Sequence, residues 1–209
     1  MNSSNLTRVT RLIGHLLTHP ADIGPYLKTG PLIKKSPLDL GLPWFSQAAI
    51  RFLDGHVQPG MRVFEYGAGG STLFFAGRGA EVTSTENVAE WLDRVSEVLP
   101  PELESKVTLQ HRPFDFHDVK DFDNSEYLNS MPDEPFDIIV VDGEEHKTKT
   151  RPTCFQHAQS RTKPGGIVIL DDSWRYQDLV HESKAKKVID FRGTGPCRPG
   201  VTSTAVFFY

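Results

Sequence analysis

The chain has 209 residues, of which 38% are hydrophobic, so it can form one domain with a substantial core and cannot be wholly disordered. Its formal net charge of -4 excludes a chain built as a whole to bind nucleic acid or an anionic membrane. No run approaches the roughly 20 apolar residues of a membrane span, and the two cysteines, Cys154 and Cys197, show no pairing pattern. These features predict a cytoplasmic protein.

Residues 5–18 carry apolar side chains at helical spacing and predict an amphipathic helix. This helix could pack on the domain, meet a second subunit or lie on a membrane surface. Packing or dimerisation is favoured, because the cations on its polar face are too sparse for membrane binding. Five prolines within 19–43 then predict a wandering connector. The chain therefore divides into a helix and Pro-rich connector at 1–43 and a domain at 44–209.

Beyond residue 43 the apolar pattern alternates between helical and strand spacing. The apolar run 136–141 is typical of a central parallel strand that is covered on both faces. The alternation predicts an α/β fold with a single doubly wound, Rossmann-like, mostly parallel sheet and an antiparallel C-terminal edge hairpin. The predicted elements are a helix opening at Pro43, strand 62–66, helix 71–78, strand 80–85, helix 88–99, strand 107–111, an irregular loop 112–135, strand 136–141, helix 149–162, a turn at 163–166, strand 167–170, a short helix near 173–181, and strands 187–191 and 202–208.

The stretch 62–72 reads as a short buried strand, a glycine turn and the first turn of a helix. Gly67 and Gly69 allow the backbone to turn sharply and to approach a ligand that a Cβ would hold off. Ser71 or Thr72 can cap the helix, whose free N–H groups favour electron-rich ligand atoms.

Two acids flank this turn. About twenty residues after it, Glu86 ends the next strand, where a carboxylate suits both hydroxyls of a ribose. Thr72 stands where the nicotinamide fingerprint has its third glycine. Glu65 would repel a pyrophosphate but suits a ligand that carries an ammonium group. The sequence thus predicts an adenosine-type cofactor at the top of a parallel sheet.

These residues resemble the class I S-adenosylmethionine-dependent methyltransferases, whose first motif is an acid followed by G-x-G and whose second strand closes on another acid. An aspartate closing strand four and a K-P-G-G turn before strand five extend the resemblance over roughly residues 60–175. The bacterial small-molecule members look closest. The matching residues are Glu65, Gly67, Gly69, Glu86, Asp142 with Gly143, the turn 163–166, and Asp171 with Asp172.

The resemblance implies S-adenosylmethionine as the cofactor and a small-molecule acceptor, methylated at an oxygen nucleophile. By the same resemblance Glu65 shapes the methionine end, Glu86 holds the ribose and Asp115 lies at the adenine. The acidic balance argues against nucleic acid as a partner, and a homodimer is possible. The predicted cofactor-binding residues are Glu65, Tyr66, Gly67, Ala68, Gly69, Ser71, Thr72, Glu86, Asn87, Asp115, Asp142 and Gly143.

The acids at the upper rim of the sheet are the candidates for catalysis. Methyl transfer to oxygen needs a group that removes a proton, and Asp142 and His146 are the predicted catalytic residues. Clustered acids also require a cation among them, either a sulfonium cofactor or a divalent metal. Mg²⁺ on Asp142, Asp171 and Asp172 is an alternative, as in catechol-type enzymes, but Asp172 replaces their asparagine, so a metal is not favoured.

Two other functions stay open at this stage. The chain could be a catalytically silent methyltransferase-like module that serves as a partner subunit, or a nicotinamide oxidoreductase. The acceptor is expected at the parts with the least motif content, namely 1–45, the loop 112–135 and the region 173–200. In the last of these, Arg175, Tyr176 and Arg198 could meet an acidic or sugar-like substrate.

Overall fold

A seven-stranded sheet is the frame of the molecule in a computed structural model that describes residues 3–145 and 150–209. Between the helices and strands, the chain also forms short 3-10 turns. The elements are α1 (Ser3–Thr18), α2 (Ile23–Thr29), α3 (Gln47–His56), β1 (Arg62–Tyr66), α4 (Gly70–Ala76), β2 (Glu81–Glu86), α5 (Ala89–Val98), β3 (Val107–His111), β4 (Phe136–Val141), α6 (Thr150–Arg161), β5 (Thr162–Asp171), α7 (Gln177–Glu182), β6 (Lys187–Thr194) and β7 (Val201–Phe208).

The strand order is β3-β2-β1-β4-β5-β7-β6. The first five strands of the chain pair in parallel, whereas β7 pairs antiparallel with both β5 and β6. This confirms the predicted doubly wound sheet with an antiparallel C-terminal hairpin. The winding direction reverses between β1 and β4, so the carboxyl ends of these two strands open the crevice in which such sheets bind ligands.

The core lies on both faces of the sheet, and β1 contributes to both. Val63 packs with α3 and α4, whereas Phe64 and Tyr66 pack with α6 on the opposite face. Because strand side chains alternate, Glu65 shares the face of Val63 and lies beneath α4. No helix within the described ranges is long and apolar enough to cross a membrane.

The N-terminal segment is more ordered than the sequence predicted. The connector contains α2 and several 3-10 turns. Buried Asp22 joins it to the domain, since its carboxylate lies 2.7 Å from Nε2 of His15 in α1 and 2.8 Å from Nη2 of Arg51 in α3. Part of α1 therefore packs on the domain.

Several predicted boundaries differ from the structure, and two of the differences have a local cause. The helix expected at Pro43 begins at Gln47, because the Ser46 hydroxyl caps it by accepting a hydrogen bond from the Ala49 N–H. The turn predicted at 163–166 belongs to β5, because Gly165 and Gly166 exchange backbone hydrogen bonds with Tyr209.

Candidate functional site

A cavity of about 510 Å³ lies at the crevice, above the carboxyl ends of β1, β2, β4 and β5. Its volume falls in the ~300–1,000 Å³ range of small-molecule sites. Several parts of the chain line it, and one of them precedes α3. The lining residues are Ser36, Pro37, Leu38, Leu42, Trp44, Gly67, Ala68, Gly69, Gly70, Ser71, Glu86, Asn87, Val88, Trp91, Asp142, Gly143, Glu144, Arg151, Asp172 and Arg198.

The glycine turn after β1 forms the floor of the cavity. Gly67 has a φ of 98°, and a Cβ there would lie 2.9 Å from the Cα of Gly143. A Cβ on Gly70 would collide with the carbonyl oxygen of Leu42. Gly69, the second glycine of the predicted G-x-G motif, has room for a side chain. Close backbone approach therefore requires glycine at 67 and 70.

Glu65 supports this turn from below and does not line the cavity. Its Oε2 accepts hydrogen bonds of 2.6 Å from the hydroxyls of Thr72 and Ser84. Thr72 Oγ1 in turn accepts a hydrogen bond from the Gly69 N–H at 3.1 Å. Burial raises the pKa of Glu65 to about 7, against the lowering effect of hydrogen bonds from the Ser71, Ser84 and Thr72 side chains. The geometry does not favour the predicted direct contact with the ligand, because β1 turns this side chain under α4.

Glu86 ends β2 in the wall of the cavity. Its carboxylate accepts hydrogen bonds from three backbone N–H groups, those of Ala68 at 3.2 Å, Asn87 at 2.8 Å and Val88 at 3.1 Å. Burial raises its pKa, and these backbone hydrogen bonds oppose the rise. Trp91 secures the same turn by donating from Nε1 to the carbonyl oxygen of Ala68 at 2.8 Å.

Arg151 neutralises the ends of β4 and β5. Its buried guanidinium donates to the carbonyl oxygens of Gly143, Asp142 and Asp171 at 2.9–3.2 Å. Its Nη2 also lies 3.2 Å from Oδ1 of Asp142. Burial raises the pKa of Asp142, the charge of Arg151 lowers it and nearby Asp172 raises it, with a net upward shift.

A second guanidinium, that of Arg198, covers the next two acids. Its Nη1 donates to Oδ1 of Asp172 at 2.9 Å, and its Nη2 lies 3.7 Å from Oδ2 of Asp171. Burial raises the pKa of Asp172, but the charge and hydrogen bond of Arg198 and a hydrogen bond from Thr202 outweigh it and lower the pKa. Arg198 also lies 5.8 Å from the ring centre of Trp44 at the cavity mouth.

The structure brings most of the predicted site residues into one cavity. Tyr66 and Thr72 lie beneath it with Glu65, and Asp171 is buried behind Asp172. Asp115 is exposed and does not line the cavity. Its Oδ1 accepts a hydrogen bond from the His117 N–H, so the structure does not place it at the ligand as predicted. His146 falls outside the described residues. The predicted residues that line the cavity are Gly67, Ala68, Gly69, Ser71, Glu86, Asn87, Asp142, Gly143 and Asp172.

The alternative magnesium site does not fit this arrangement. Asp142 faces Arg151, and both Asp171 and Asp172 face Arg198. Asp171 Oδ1 additionally accepts a hydrogen bond from the Thr204 hydroxyl. Across the described parts of the chain, no three His, Cys, Asp or Glu side chains are grouped to hold a metal ion. The donor atoms that Mg²⁺ needs are already directed at guanidinium groups.

Several residues of this site were not predicted from the sequence. Arg151 lies in the first turn of α6 and belongs to no recognised motif. Gly70 directly follows the G-x-G triplet, which does not include it. Trp91 lies within the predicted helix 88–99 and was not named as a site residue. The segment 36–42, predicted as part of a connector within the region 1–45 that was expected to meet the acceptor, also lines the cavity. The loop 112–135, predicted to carry ligand contacts, instead buries Phe116, Phe122 and Tyr127 in the core. The signal available for Gly70 was only a third glycine in the turn.

Known proteins share this architecture. The sequence model of a family described as a methyltransferase domain matches residues 64–173. Solved structures include an O-methyltransferase from Bacillus cereus in complex with SAH, at 18% identity, 82% coverage of this chain and 86% of that chain, and a TM-score of 0.58.

A Klebsiella pneumoniae protein, named provisionally as an O-methyltransferase, is 19% identical to this chain. The match covers 97% of this chain and 99% of the Klebsiella chain, with a TM-score of 0.56. The Thermus thermophilus 16S rRNA N2 G1207 methyltransferase, solved with AdoMet and guanosine, is 20% identical. The match covers 76% of this chain and 41% of that chain, with a TM-score of 0.54. At these identities the likeness extends to the fold alone. A comparison with curated proteins gives no significant match.

Proposed function

Because this chain belongs to the methyltransferase-domain family of S-adenosylmethionine-dependent enzymes, we propose that it transfers a methyl group to an oxygen atom of a small molecule. The observation that carries this proposal is the single cavity wall in which the glycine turn, Glu86 and Asp142 meet. A cofactor that bears both a sugar and a cationic centre needs such a combination of close backbone and carboxylates.

The residues of the turn fit the cofactor. Gly67 lets the turn pack directly on the backbone of Gly143 at the floor of the cavity, and Glu86 stands at the strand end where a carboxylate can hold ribose hydroxyls. We propose that Ser71, Asn87 and Gly143 complete the contacts with the cofactor. Glu65 lies beneath the glycine turn and holds that turn in position. When bound, S-adenosylmethionine supplies a methyl group on a sulfonium sulfur.

The protein must then orient the acceptor and remove a proton from its oxygen. We propose Asp142 as the base, since it lines the cavity and its pKa is raised by burial. Arg151 fixes this carboxylate, and the proton taken up would return to water at the open cavity mouth. His146 stays a second candidate from the sequence.

Several features support a small acceptor over RNA. The cationic groups at the cavity, Arg151 and Arg198, already face carboxylates, and the chain as a whole is acidic. Half-exposed Trp44 at the mouth offers an apolar face to a planar or sugar ring. O-methyltransferase is the name given to the Bacillus and Klebsiella proteins, whereas the Thermus enzyme acts on rRNA. A cytoplasmic location and a homodimer remain part of the proposal, the former supported by the free cysteines.

The test measures cofactor binding and methyl transfer separately. S-adenosylhomocysteine should bind in a calorimetric titration, and label from methyl-labelled S-adenosylmethionine should enter the small-molecule fraction of a cell extract. Asp142→Asn should retain binding and lose transfer by about 100-fold or more, since general-base catalysis contributes ~10²–10⁴. Asp178→Asn, which changes an exposed carboxylate, is the matched control.

Each contrary outcome has a distinct meaning. Label in RNA alone would replace the small-molecule acceptor with nucleic acid. Binding of S-adenosylhomocysteine without transfer to any fraction would favour the silent partner module. Equal transfer by Asp142→Asn and Asp178→Asn would remove Asp142 as the base.

A further inference from the structure

The N-terminal helices carry an apolar surface that the domain does not cover. Val9, Ile13 and Leu17 follow one another at four-residue spacing on α1, so they share one face of that helix. Leu12 and Leu16, beside them, are partly buried against the domain. The exposed face continues on α2 and the following 3-10 turn. We call this the N-terminal surface, formed by Val9, Ile13, Leu17, Ile23, Leu27 and Leu32, whose exposed fractions run from 41% to 86%.

The same segment is the basic part of an acidic chain. Residues 1–38 contain five lysines and arginines and one acid, whereas residues 39–209 contain 18 lysines and arginines and 26 acids. The one acid, Asp22, is buried between His15 and Arg51, so it leaves the surface charge uncancelled. The cations, all exposed, are Arg8, Arg11, Lys28, Lys34 and Lys35.

From this pairing of exposed apolar side chains with cations, we propose that the N-terminal surface docks on an anionic lipid bilayer. Amphipathic helices bind at the bilayer interface by burying apolar side chains while lysines and arginines meet acidic headgroups. The structure adds three lysines from α2 and beyond to the two arginines of α1, which makes the cationic set denser than α1 alone.

Charge also decides between a bilayer and a second copy. A two-fold interface through this surface would bring together two segments of the same net positive charge. An acidic headgroup layer instead offers the opposite charge. The Asp22 contacts hold the surface to α3, so docking would fix the whole domain against the bilayer.

Vesicle sedimentation with the whole chain tests this surface. The protein should pellet with phosphatidylglycerol-containing vesicles at low salt, release at high salt, and pellet little with pure phosphatidylcholine. Ile13→Glu with Leu17→Glu should lower the partition coefficient by at least about tenfold. The matched control is Val98→Glu with Val201→Glu, an equal change on exposed valines elsewhere, which should bind like the parent.

A second variant tests the cations alone. Lys34→Ser with Lys35→Ser should weaken binding about fivefold for each lysine removed, and only on anionic vesicles. Circular dichroism and S-adenosylhomocysteine binding report whether each variant is folded. Absence of pelleting by the folded parent, equal binding to both lipids or unchanged binding by the Ile13/Leu17 variant would overturn the proposal. A dimer in analytical ultracentrifugation that the same variant dissociates would assign the surface to a second copy instead.

Discussion

The carboxylates on the two sides of the cavity have different kinds of partner. At β1 and β2, Glu65 meets hydroxyl groups and Glu86 meets backbone N–H groups, which are neutral donors. At β4 and β5, Asp142 and Asp172 meet guanidinium groups. A neutral donor satisfies an oxygen without cancelling its charge. On the first side Glu86, which lines the cavity, thus keeps a charge that no protein cation cancels, while the second side is balanced within the protein.

The largest effect expected from this difference is on the second side. Arg151→Met should lower the free energy of unfolding by about 3–5 kcal/mol, because it leaves the partly buried carboxylate of Asp142 and three carbonyl oxygens without their donor. Arg192→Met, which breaks an exposed pair with Asp190, should cost under about 1 kcal/mol. Urea unfolding of both variants measures the contrast. Equal losses would mean that arginine does not balance the second side.

On the first side the expected effect depends on pH. The pKa of Glu65 rises from 4.5 in the unfolded chain to about 7 in the folded one, so the folded state holds the proton more tightly. Its contribution is fully present below pH 4.5 and is lost as pH rises through 7, a change of about 3 kcal/mol. Glu65→Gln should remove that dependence. Exposed Glu102→Gln should retain it.

Denaturation curves at several pH values measure this loss. If parent and Glu65→Gln proteins follow parallel stability curves from pH 4 to 8, then Glu65 is not the buried, weakly solvated group that its surroundings indicate.

A smaller effect is expected where the two sides touch. Gly67→Ala should cost about 1–3 kcal/mol more than Gly60→Ala, since both force alanine into positive φ but only Gly67 faces a backbone atom, the Cα of Gly143. Calorimetry should find S-adenosylhomocysteine affinity reduced about tenfold or more for Gly67→Ala and unchanged for Gly60→Ala. Equal affinities would separate the turn from the cofactor site.

The sequence predicts best what depends on neighbours in the chain. Strand and helix alternation, the antiparallel hairpin and the positions of Gly67 and Glu86 all follow from local patterns of apolar residues, glycines and strand ends. The idea that clustered acids need a cation was sound for the second side, but the cations there are Arg151 and Arg198.

What the sequence could not supply depends on contacts between distant segments. Arg151 binds the ends of two strands through backbone carbonyls, which no residue pattern records. Asp115 looked like a strand-end acid, yet the chain turns its side chain outward to a local N–H group. Gly70 is fixed by Leu42, 28 positions earlier, so its constraint is invisible to a motif.

That contact between Gly70 and Leu42 ties the two predicted segments of the chain together. The carbonyl oxygens of Pro37 and Leu42 lie where a side chain on residue 70 would be. The segment before α3 therefore packs directly on the glycine turn after β1. A protease cut or a fusion joint placed at residue 43 would therefore remove a side of the cavity, and with it the shelter of any molecule inside. Any division of this protein must therefore lie upstream of Ser36.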